Sequence, residues 1–440
     1  MSSEHNLARI KMAINSKQRI NENFQPETDF KPMITNLRKI TDILLPKEYE
    51  LLPNNSELFE LEFAYYEYKY LTKTEIIKRG AFFKSVDGTP TNHYIICSKN
   101  SPLTWQGRSE ITKSYFKEGN FSTGYATHGL FPYRGKFHPQ LIKGILNILN
   151  VQPGEVVLDP MCGSGTLNVE SAIIGINSIG IEKSPFCVLM SKVKYEALKT
   201  FTEQLSLVEK EGNKNFRTLS NHKKLPNDFN FENGFDIGRG IILLVFLDAM
   251  GYARRCTKTI DVLFPSVLKR YAGQINSFIK ARDKLNLEIG KARFEIGDAR
   301  NLPLKDSSID AVITSPPYSF AIDYAENDRP QLEYLGYDIL SLKEEMIGLK
   351  GKTRKAKLDN YFDDMNKVIS EMSRVLKVGK YAVIIIGSND VQTGGIRLET
   401  KIEEMALKNG FILDQKIVKP IKGIQNTMKD EYILFLRKGG

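Results

Sequence analysis

Residues 155–166 read EVVLDPMCGSGT, and this stretch indicates the fold of the chain. Its first five residues predict a short buried strand, and the apolar spacing from about residue 166 to residue 174 predicts a helix. Between them, Gly163 and Gly165 allow a ligand to approach the backbone closely, and the N-terminus of the helix favours negative charge. Such a turn occurs in many nucleotide-binding folds. The Lys-Ser/Thr pair of a phosphate-binding loop is missing from it, which argues against ATP hydrolysis.

Strands and helices alternate over most of the remaining chain. Further strands are predicted at residues 177–182, 292–297, 309–314, 381–387, 411–418 and 431–437, and further helices at 184–199, 361–376 and 398–409. This alternation predicts a mostly parallel sheet with helices on both faces, in which ligands bind at the carboxyl ends of the strands.

The alternation is interrupted between residues 195 and 290. Residues 200–233 look polar and loop-like, whereas residues 241–252 and 264–286 have helical patterns. We therefore predict a helical insertion at 199–289 within a sheet domain formed by 121–198 and 290–440. An N-terminal region, 1–120, precedes this domain, and the sequence assigns no role to it.

Three of the predicted strands are followed by residues that suit a binding site. Glu182 is placed to accept hydrogen bonds from both hydroxyls of a ribose, and the alternative is a solvated charge at a strand end. Asp298 suits an adenine amino group and equally suits a helix cap. The loop Thr314-Ser315-Pro316-Pro317-Tyr318 is held stiff by its two prolines. The carbonyls of Ser315 and Pro316 remain free acceptors there, although such a loop by itself could be a plain rigid turn.

The glycine turn and the Ser-Pro-Pro-Tyr loop together resemble the amino-methylating nucleic-acid methyltransferases, whose mark is an (Asp/Asn/Ser)-Pro-Pro-(Tyr/Phe) loop. The serine form is typical of the cytosine-N4 DNA methyltransferases. Residues 127–139, THGLFPYRGKFHP, are similar to the segment that precedes the cofactor loop in that family. The resemblance covers about 125–200 and 290–440. It implies the α/β, Rossmann-like fold of S-adenosylmethionine-dependent methyltransferases. Residues 121–198 and 290–440 would form the catalytic domain.

The resemblance also implies the roles of individual residues. Ser315 and Pro316 would hold the target amino group, Pro317 would complete the loop, and Tyr318 would stack on the extruded base. Gly163 and Gly165 would line the methionine end of the cofactor, near Asp159, with Glu182 at the ribose and Asp298 at the adenine. The full set of cofactor-binding residues expected from the resemblance is Phe137, Asp159, Pro160, Cys162, Gly163, Gly165, Thr166, Glu182, Lys183, Asp298 and Ala299.

The reaction implied is transfer of a methyl group to the exocyclic N4 amine of cytosine in DNA. Adenine-N6 methylation and methylation of an RNA base amine stay open as alternatives, and a non-catalytic nucleic-acid-binding protein is a more remote one. Cytosine-C5 methylation requires a cysteine after a proline, whereas Cys162 follows Met161. The partners expected are duplex DNA with its target base flipped out and, in a restriction–modification pair, a cognate restriction endonuclease.

The composition agrees with a nucleic-acid partner. The net charge is +10, which suits a polyanion, although many soluble proteins are as basic. A basic side of the insertion (Arg254, Arg255, Lys258, Lys269 and Arg270) is a candidate DNA-contacting region or a solvated face. The basic run 350–357 is a candidate phosphate contact or a surface loop, and the loop 323–337 is a candidate wall of the base pocket.

The remaining features give negative expectations. The four cysteines form no CxxC pair and have no histidines at zinc-ligand spacing, so we expect neither a metal site nor a disulfide framework. The first residues lack the apolar core of a signal peptide, and the longest apolar run is too short to cross a membrane. We therefore expect a cytoplasmic protein.

Overall fold

The computed structural model of the chain describes residues 43–53, 55, 57–99, 123–133, 135–229, 235–318, 323–388, 393–421 and 430–440. The chain separates into two compact units, residues 1–94 and residues 95–440. Among the described residues, no helix is both long and apolar enough to cross a lipid bilayer.

Within its described residues, the first unit contains a small antiparallel sheet and two helices. Its strands are β1 (Tyr49–Leu51), β2 (Phe83–Val86) and β3 (Thr89–Pro90), in that order, and its helices are α1 (Leu58–Tyr70) and α2 (Lys73–Arg79). The aromatic stretch of α1 contributes to the core, where Phe63 is buried against Phe82 with ring centroids 5.7 Å apart. The buried carboxylate of Glu67 accepts the backbone N–H groups of Ala81 and Phe82, which fastens α1 to the start of β2.

Helix α3 (Asn92–Lys99) leads into the second unit. The strands of this unit are β4 (Val156–Asp159), β5 (Asn177–Glu182), β6 (Ala292–Ile296), β7 (Ile309–Thr314), β8 (Leu376–Gly387), β9 (Phe411–Pro420) and β10 (Asp430–Lys438). Its helices are α4 (Pro139–Ile148), α5 (Thr166–Ile173), α6 (Pro185–Lys199), α7 (Thr202–Ser220), α8 (Ile237–Ala253), α9 (Ile260–Leu285), α10 (Tyr324–Asn327), α11 (Arg329–Leu335), α12 (Ile339–Glu345), α13 (Arg354–Val375) and α14 (Leu398–Lys408).

The seven strands of the second unit form one sheet in the order β6-β5-β4-β7-β8-β10-β9. All neighbours from β6 to β8 are parallel, whereas β10 is antiparallel to both β8 and β9. On one face, α13 and α14 pack on β7, β8 and β10 around Val312, Met372 and Leu434. On the other face, α5, α6 and α9 pack around Val169, Tyr195 and Phe278. The predicted fold class is confirmed, a mostly parallel sheet with helices on both faces.

The structure corrects the expectation that residues 200–233 form a polar loop, because most of the first twenty form helix α7. Its buried side, which includes Val208, Gly212 and Leu219, is narrow, and the other residues are polar, so hydrophobic content alone did not reveal it. At Gly212, an added Cβ would lie 2.5 Å from Leu268 Cδ2, which shows how closely α7 approaches α9. The predicted boundaries 121–198, 199–289 and 290–440 stay a prediction.

The basic run 350–357, a candidate phosphate contact or a surface loop, is partly helical in the structure. Helix α13 begins at Arg354, seven residues before its predicted start, because Thr353 caps it by accepting the Ala356 N–H at 3.2 Å. The basic residues Arg354 and Lys355 therefore lie in the first helical turn and are exposed.

Candidate active site

The carboxyl ends of β4, β5, β6 and β7 surround one cavity, here called the main cavity. It holds roughly 830 Å³ of empty space, part of it open to solvent. The predicted site residues that line it are Pro160, Gly163, Glu182, Lys183, Asp298, Ala299, Ser315 and Pro317. The structure thus brings residues that follow four different strands to one place.

The glycine turn and Glu182 form one rigid corner of the main cavity. Gly163 and Gly165 both have positive φ angles, 48° and 74°, which glycine adopts without strain. At Gly165, an added Cβ would lie 2.7 Å from Ser191 Cβ, so only glycine fits against α6. The Glu182 carboxylate accepts the N–H groups of Gly163 at 2.8 Å and Ser184 at 2.9 Å. Burial raises the pKa of Glu182, although these backbone hydrogen bonds oppose the shift.

Five residues predicted to bind the cofactor lie outside the described lining of the main cavity: Phe137, Asp159, Cys162, Gly165 and Thr166. Asp159 is fully buried and accepts the Thr314 hydroxyl at 2.8 Å and the Met161 N–H at 3.1 Å. Burial raises its pKa to about 7. Asp159 therefore joins the end of β4 to the end of β7 and holds the glycine turn beside the Ser-Pro-Pro-Tyr loop.

The opposite wall of the main cavity is apolar and was not predicted. Met346, Ile347 and Leu349, which follow α12, line it together with Glu345. The Arg300 guanidinium holds this segment by donating to the Glu345 carbonyl at 2.8 Å. Lys183, which also lines the cavity, forms an ion pair with the Glu345 carboxylate.

Asp298 also contacts Arg300, through hydrogen bonds at 2.7–3.2 Å. Burial alone would raise the Asp298 pKa, but the hydrogen bonds and charge of Arg300 outweigh it and leave the pKa below its ordinary value. Asp298 is therefore a carboxylate at neutral pH, and part of its hydrogen-bonding capacity is already used by Arg300.

The Ser-Pro-Pro-Tyr loop is tied to the antiparallel strands. Ser315 Oγ donates to Tyr318 Oη at 3.3 Å, and Tyr318 Oη donates to Glu431 Oε1 at 2.9 Å. Glu431 in turn forms an ion pair with Lys419. Pro316 is buried, and the Tyr318 ring packs beside the core on the α13 face of the sheet. Of the loop, Ser315 and Pro317 face the main cavity.

A second cavity, here called the side cavity, adjoins the main cavity. Tyr133 and Tyr324 line both cavities, and their nearly parallel rings have centroids 6.4 Å apart. The other described residues that line the side cavity are Phe131, Pro132, Asp248, Gly251, Tyr252, Arg255, Asn327, Asp328 and Gln331. The wall thus combines aromatic rings with hydrogen-bonding groups.

Two buried polar groups of the side cavity come from the region 323–337. Burial raises the pKa of Asp328 to about 7, so this side chain carries a proton part of the time at neutral pH. Gln331 is 4% exposed; its Nε2 donates to the Leu247 carbonyl at 3.2 Å, while its Oε1 has no hydrogen-bond partner within the described part of the chain. An unpaired buried acceptor is costly, which is expected of a group that awaits a ligand.

Helix α8 of the predicted insertion contributes Asp248, Gly251 and Tyr252 to the side cavity. Asp248 is paired with Arg270 of α9, which also donates to Tyr252 Oη. This pairing corrects the predicted basic side of the insertion, since Arg270 points into the contact between α8 and α9. The other four residues of that side, Arg254, Arg255, Lys258 and Lys269, are exposed.

Comparison with protein families gives two matches. Residues 309–440, which include the Ser-Pro-Pro-Tyr loop and β8 to β10, match the family model of a DNA methylase that covers amino-group methylation at N6 and N4. Residues 130–218, which include the glycine turn and Glu182, match a model described as an RMKL-like methyltransferase domain. Two segments of the chain are therefore similar to methyltransferases, and residues 309–440 are similar to amino-methylating DNA methylases in particular. Both models describe proteins that transfer methyl groups.

Three similar proteins are type II methyltransferases. M.MjaII of Methanocaldococcus jannaschii is 46% identical over 69 residues, which is 16% of this chain and 13% of that protein. M.BsoBI of Geobacillus stearothermophilus is 24% identical over 54% of this chain and 59% of that protein. M.MvaI of Kocuria varians is 21% identical over 66% of this chain and 83% of that protein. The chain therefore spans less than two thirds of the length of the first two relatives.

The residues that line the main cavity fit S-adenosylmethionine. The half-buried Glu182 carboxylate keeps lone pairs for ribose hydroxyls, and the apolar side chains of Met346, Ile347 and Leu349 suit an adenine ring. The open backbone at Gly163, where an added Cβ would meet nothing within 4 Å, allows close approach of the methionine end.

The sequence did not assign several residues that line the main cavity: Tyr133, Gly135, Met161, Ser184, Gly297, Glu345, Met346, Ile347 and Leu349. Tyr324, which also lines it, lies in the segment 323–337 that was a candidate wall of the base pocket. Tyr133 and Gly135 lie in the segment 127–139 that carried the resemblance, and Met161, Ser184 and Gly297 adjoin predicted residues. These five could have been found from their neighbours. The segment 345–349 carries no motif, and the fold alone brings it to the site.

Proposed function

We propose that the chain transfers a methyl group from S-adenosylmethionine to the exocyclic amine of a base in DNA, and that the base is cytosine, methylated at N4. The observation that carries the proposal is that Ser315 and Pro317 line the same cavity as Gly163 and Glu182. An acceptor for the amine and the candidate residues for the methyl donor thus share one enclosed space. The DNA methylase match over 309–440 supports the reaction class, and the serine at position 315 supports cytosine.

The loop can raise the reactivity of a weak nucleophile. The lone pair of an exocyclic amine is delocalised into the ring, so the amine must become pyramidal before it attacks. Ser315 Oγ gives its own hydrogen to Tyr318, which leaves its lone pairs to accept an amine N–H. A second acceptor from the Pro316 carbonyl would hold the other hydrogen, and both oxygens stabilise the positive charge that develops on nitrogen.

The bound cofactor supplies a methyl group on a positively charged sulfur. The protein residues act by position: Glu182 and the glycine turn fix one partner, and Ser315 fixes the other. With both partners bound, their shared cavity would place the methyl group and the amine close together and limit the access of water.

The target base has to leave the duplex to reach this loop. The side cavity offers aromatic surface on Tyr133 and Tyr324, together with the hydrogen-bonding groups of Asp328 and Gln331. Stacking on such rings offsets part of the cost of unstacking the base, which is a few kcal/mol. The exposed Arg254, Arg255, Lys258 and Lys269 of the insertion are proposed contacts to the phosphates.

The test is to incubate the purified chain with labelled S-adenosylmethionine and unmethylated duplex DNA or total RNA, and to identify the product nucleoside by mass spectrometry. N4-methylcytosine in DNA is expected. If the product were N6-methyladenine, the proposed mechanism would stand and the target base would be adenine. Label found only in RNA would overturn the assignment to DNA. Label in neither, from a chain that binds S-adenosylmethionine in calorimetry, would overturn the proposed reaction.

A further inference from the structure

A chain of hydrogen bonds leads away from the main cavity to the β9–β10 hairpin. Ser315 Oγ donates to Tyr318 Oη, and Tyr318 Oη donates to Glu431 Oε1, at 3.3 Å and 2.9 Å. The directions follow from chemistry, because an ionised carboxylate only accepts and a phenol has one hydrogen. Tyr318 gives that hydrogen to Glu431, so its oxygen can only accept from Ser315. Ser315 is thereby left with lone pairs alone for a substrate in the cavity.

The sheet topology explains why Glu431 reaches this loop from 113 residues away. Strand β7 ends at the loop, and β8 runs parallel beside it. Strand β10 is antiparallel to β8, so its first residues, with Glu431 opposite Gly387, lie at the edge where β7 ends. Lys419 lies directly opposite Glu431 in the β9–β10 register and forms the ion pair with it.

We propose that Glu431 is a positioning residue for methyl transfer, which fixes Ser315 as an acceptor and receives, through Tyr318, the proton that the methylated amine releases. The inference rests on the proposed function. It adds to that function a residue outside the two motifs that identified the site.

The proton transfer balances without any further reactant. Attack of the amine forms the N–C bond, and the electrons of the broken S–C bond stay on sulfur. The amine N–H bond then breaks as its proton passes to Ser315 Oγ, the Ser315 hydrogen passes to Tyr318 Oη, and the Tyr318 hydrogen passes to Glu431. Glu431 ends as a neutral carboxylic acid, and its side chain is 19% exposed, so the proton can leave to solvent before the next turnover.

The surroundings suit this direction of transfer. Burial raises the pKa of Tyr318 well above its ordinary value, with a further contribution from the charge of Glu431, so the phenol keeps its hydrogen at neutral pH. Among the described residues, the other charged and titratable groups beside these hydrogen bonds are Lys419 from β9 and Tyr324 from α10, and His138 lies near Lys419. Burial lowers the pKa of His138 to about 4, so Lys419 is the cation beside Glu431 near neutral pH.

The experiment compares the wild-type chain with Glu431→Gln, Tyr318→Phe and the double variant, in methyl transfer to duplex DNA. Glutamine still accepts a hydrogen bond from Tyr318 but takes up no proton, so it separates positioning from proton uptake. The matched control is Glu403→Gln. Glu403 lies on α14 and forms an ion pair at 2.8 Å with Lys416, which is on the same strand, β9, as Lys419. Each variant is checked for melting temperature and for S-adenosylmethionine binding by calorimetry.

We expect Glu431→Gln to lower kcat by roughly 100-fold, the scale of assisted proton transfer, while KM for DNA changes by less than threefold. We expect the kcat of Tyr318→Phe to fall by a similar factor. The double variant should be no slower than the slower single variant, because both side chains belong to the same series of hydrogen bonds.

Two outcomes would overturn the inference alone. One is an active wild type with a Glu431→Gln variant of equal kcat, and the other is a loss that appears entirely as weaker cofactor binding and a lower melting temperature. A wild type that binds S-adenosylmethionine and methylates no nucleic acid would instead overturn the proposed function, and the inference with it.

Discussion

At the scale of single residues, the hydroxyl of Ser315 carries the chemistry. Ser315→Ala removes the acceptor that orients the amine, so we expect kcat to fall roughly 100-fold, as for the loss of one group that stabilises a transition state. Binding of S-adenosylmethionine should not change, because the glycine turn and Glu182 are untouched. Methyl incorporation into DNA measures the first effect and calorimetry the second.

Ser308→Ala is the control for this prediction. Ser308 lies just before the opposite end of β7, and its hydroxyl donates to the Lys305 carbonyl at 2.6 Å, away from both cavities. Equal losses in the two variants would show that serine hydroxyls around β7 matter for folding, and would remove the support for a role of Ser315 in catalysis.

Pro316 tests the stiffness of the loop rather than its hydrogen bonds. Pro316→Ala keeps the carbonyl but adds an N–H and frees the backbone, and this proline is buried. We expect most of the turnover to be lost while S-adenosylmethionine still binds. Full activity in this variant, measured by the same incorporation assay, would mean that the paired prolines are only a turn.

The sequence predicted the residues at the site that belong to a motif or follow a strand. Gly163, Glu182, Asp298 and Ser315 all line the main cavity, because parallel strands bring their carboxyl ends together. Glu431 could not be found in this way. It lies at the beginning of an antiparallel strand, and only knowledge of the strand order shows that this beginning meets the end of β7.

At the scale of elements, helix α11 connects the predicted insertion to the site. Gln331 on this helix donates to the Leu247 carbonyl of α8 and presents an unpaired Oε1 beside the side cavity. If a base uses this acceptor, Gln331→Met should raise KM for DNA by about three- to tenfold, the range of one hydrogen bond, with kcat less affected. Steady-state kinetics with duplex DNA measure this difference.

Glu333→Gln on the same helix is the control, since Glu333 is exposed and pairs with Arg329 at 3.2 Å. Gln331→Met also loses the contact to α8, so the melting temperature of both variants should be recorded. An unchanged KM for DNA in a stably folded Gln331→Met variant would exclude the side cavity from substrate binding.

The sequence predicted those helices and strands that hydrophobic periodicity or a Gly-rich turn marks. It did not predict the helices whose formation depends on tertiary packing or on a cap. Strands β4, β5 and β7 are buried runs with clear ends, and they were found within a residue. Helix α7 has a narrow buried side and is otherwise polar, so only its contacts with α8 and α9 reveal why it forms. The early start of α13 depends on the Thr353 cap, a local signal that the basic run obscured.

At the scale of the whole molecule, buried titratable groups give the stability two opposing pH dependences. Burial lowers the pKa of His128 and of His138 to about 4. The unfolded chain takes up protons at these histidines below about pH 6.5, whereas the folded chain does so only near pH 4. Their contribution is therefore complete above pH 6.5 and is lost as the pH falls from there towards 4.

The buried aspartates act in the opposite direction. Burial raises the pKa of Asp159 and of Asp328 to about 7, above the value of about 3.9 expected in the unfolded chain. Their neutral forms are compatible with the folded core, so this contribution is complete below pH 3.9 and is lost as the pH rises through 7. The two effects partly cancel between pH 4 and pH 6.5, and the wild-type stability alone does not separate them.

The variant Asp328→Asn separates them, because asparagine resembles the neutral acid and does not titrate. Its free energy of unfolding relative to wild type should increase as the pH rises from 4.5 to 7.5, by at most a few kcal/mol for a shift of about three pKa units. Urea unfolding of both chains at several pH values measures this difference, and Glu333→Gln should follow wild type throughout. If the curves of Asp328→Asn and wild type were parallel, the Asp328 carboxyl would titrate alike in the folded and unfolded chains, and the side cavity would be more hydrated than its lining indicates.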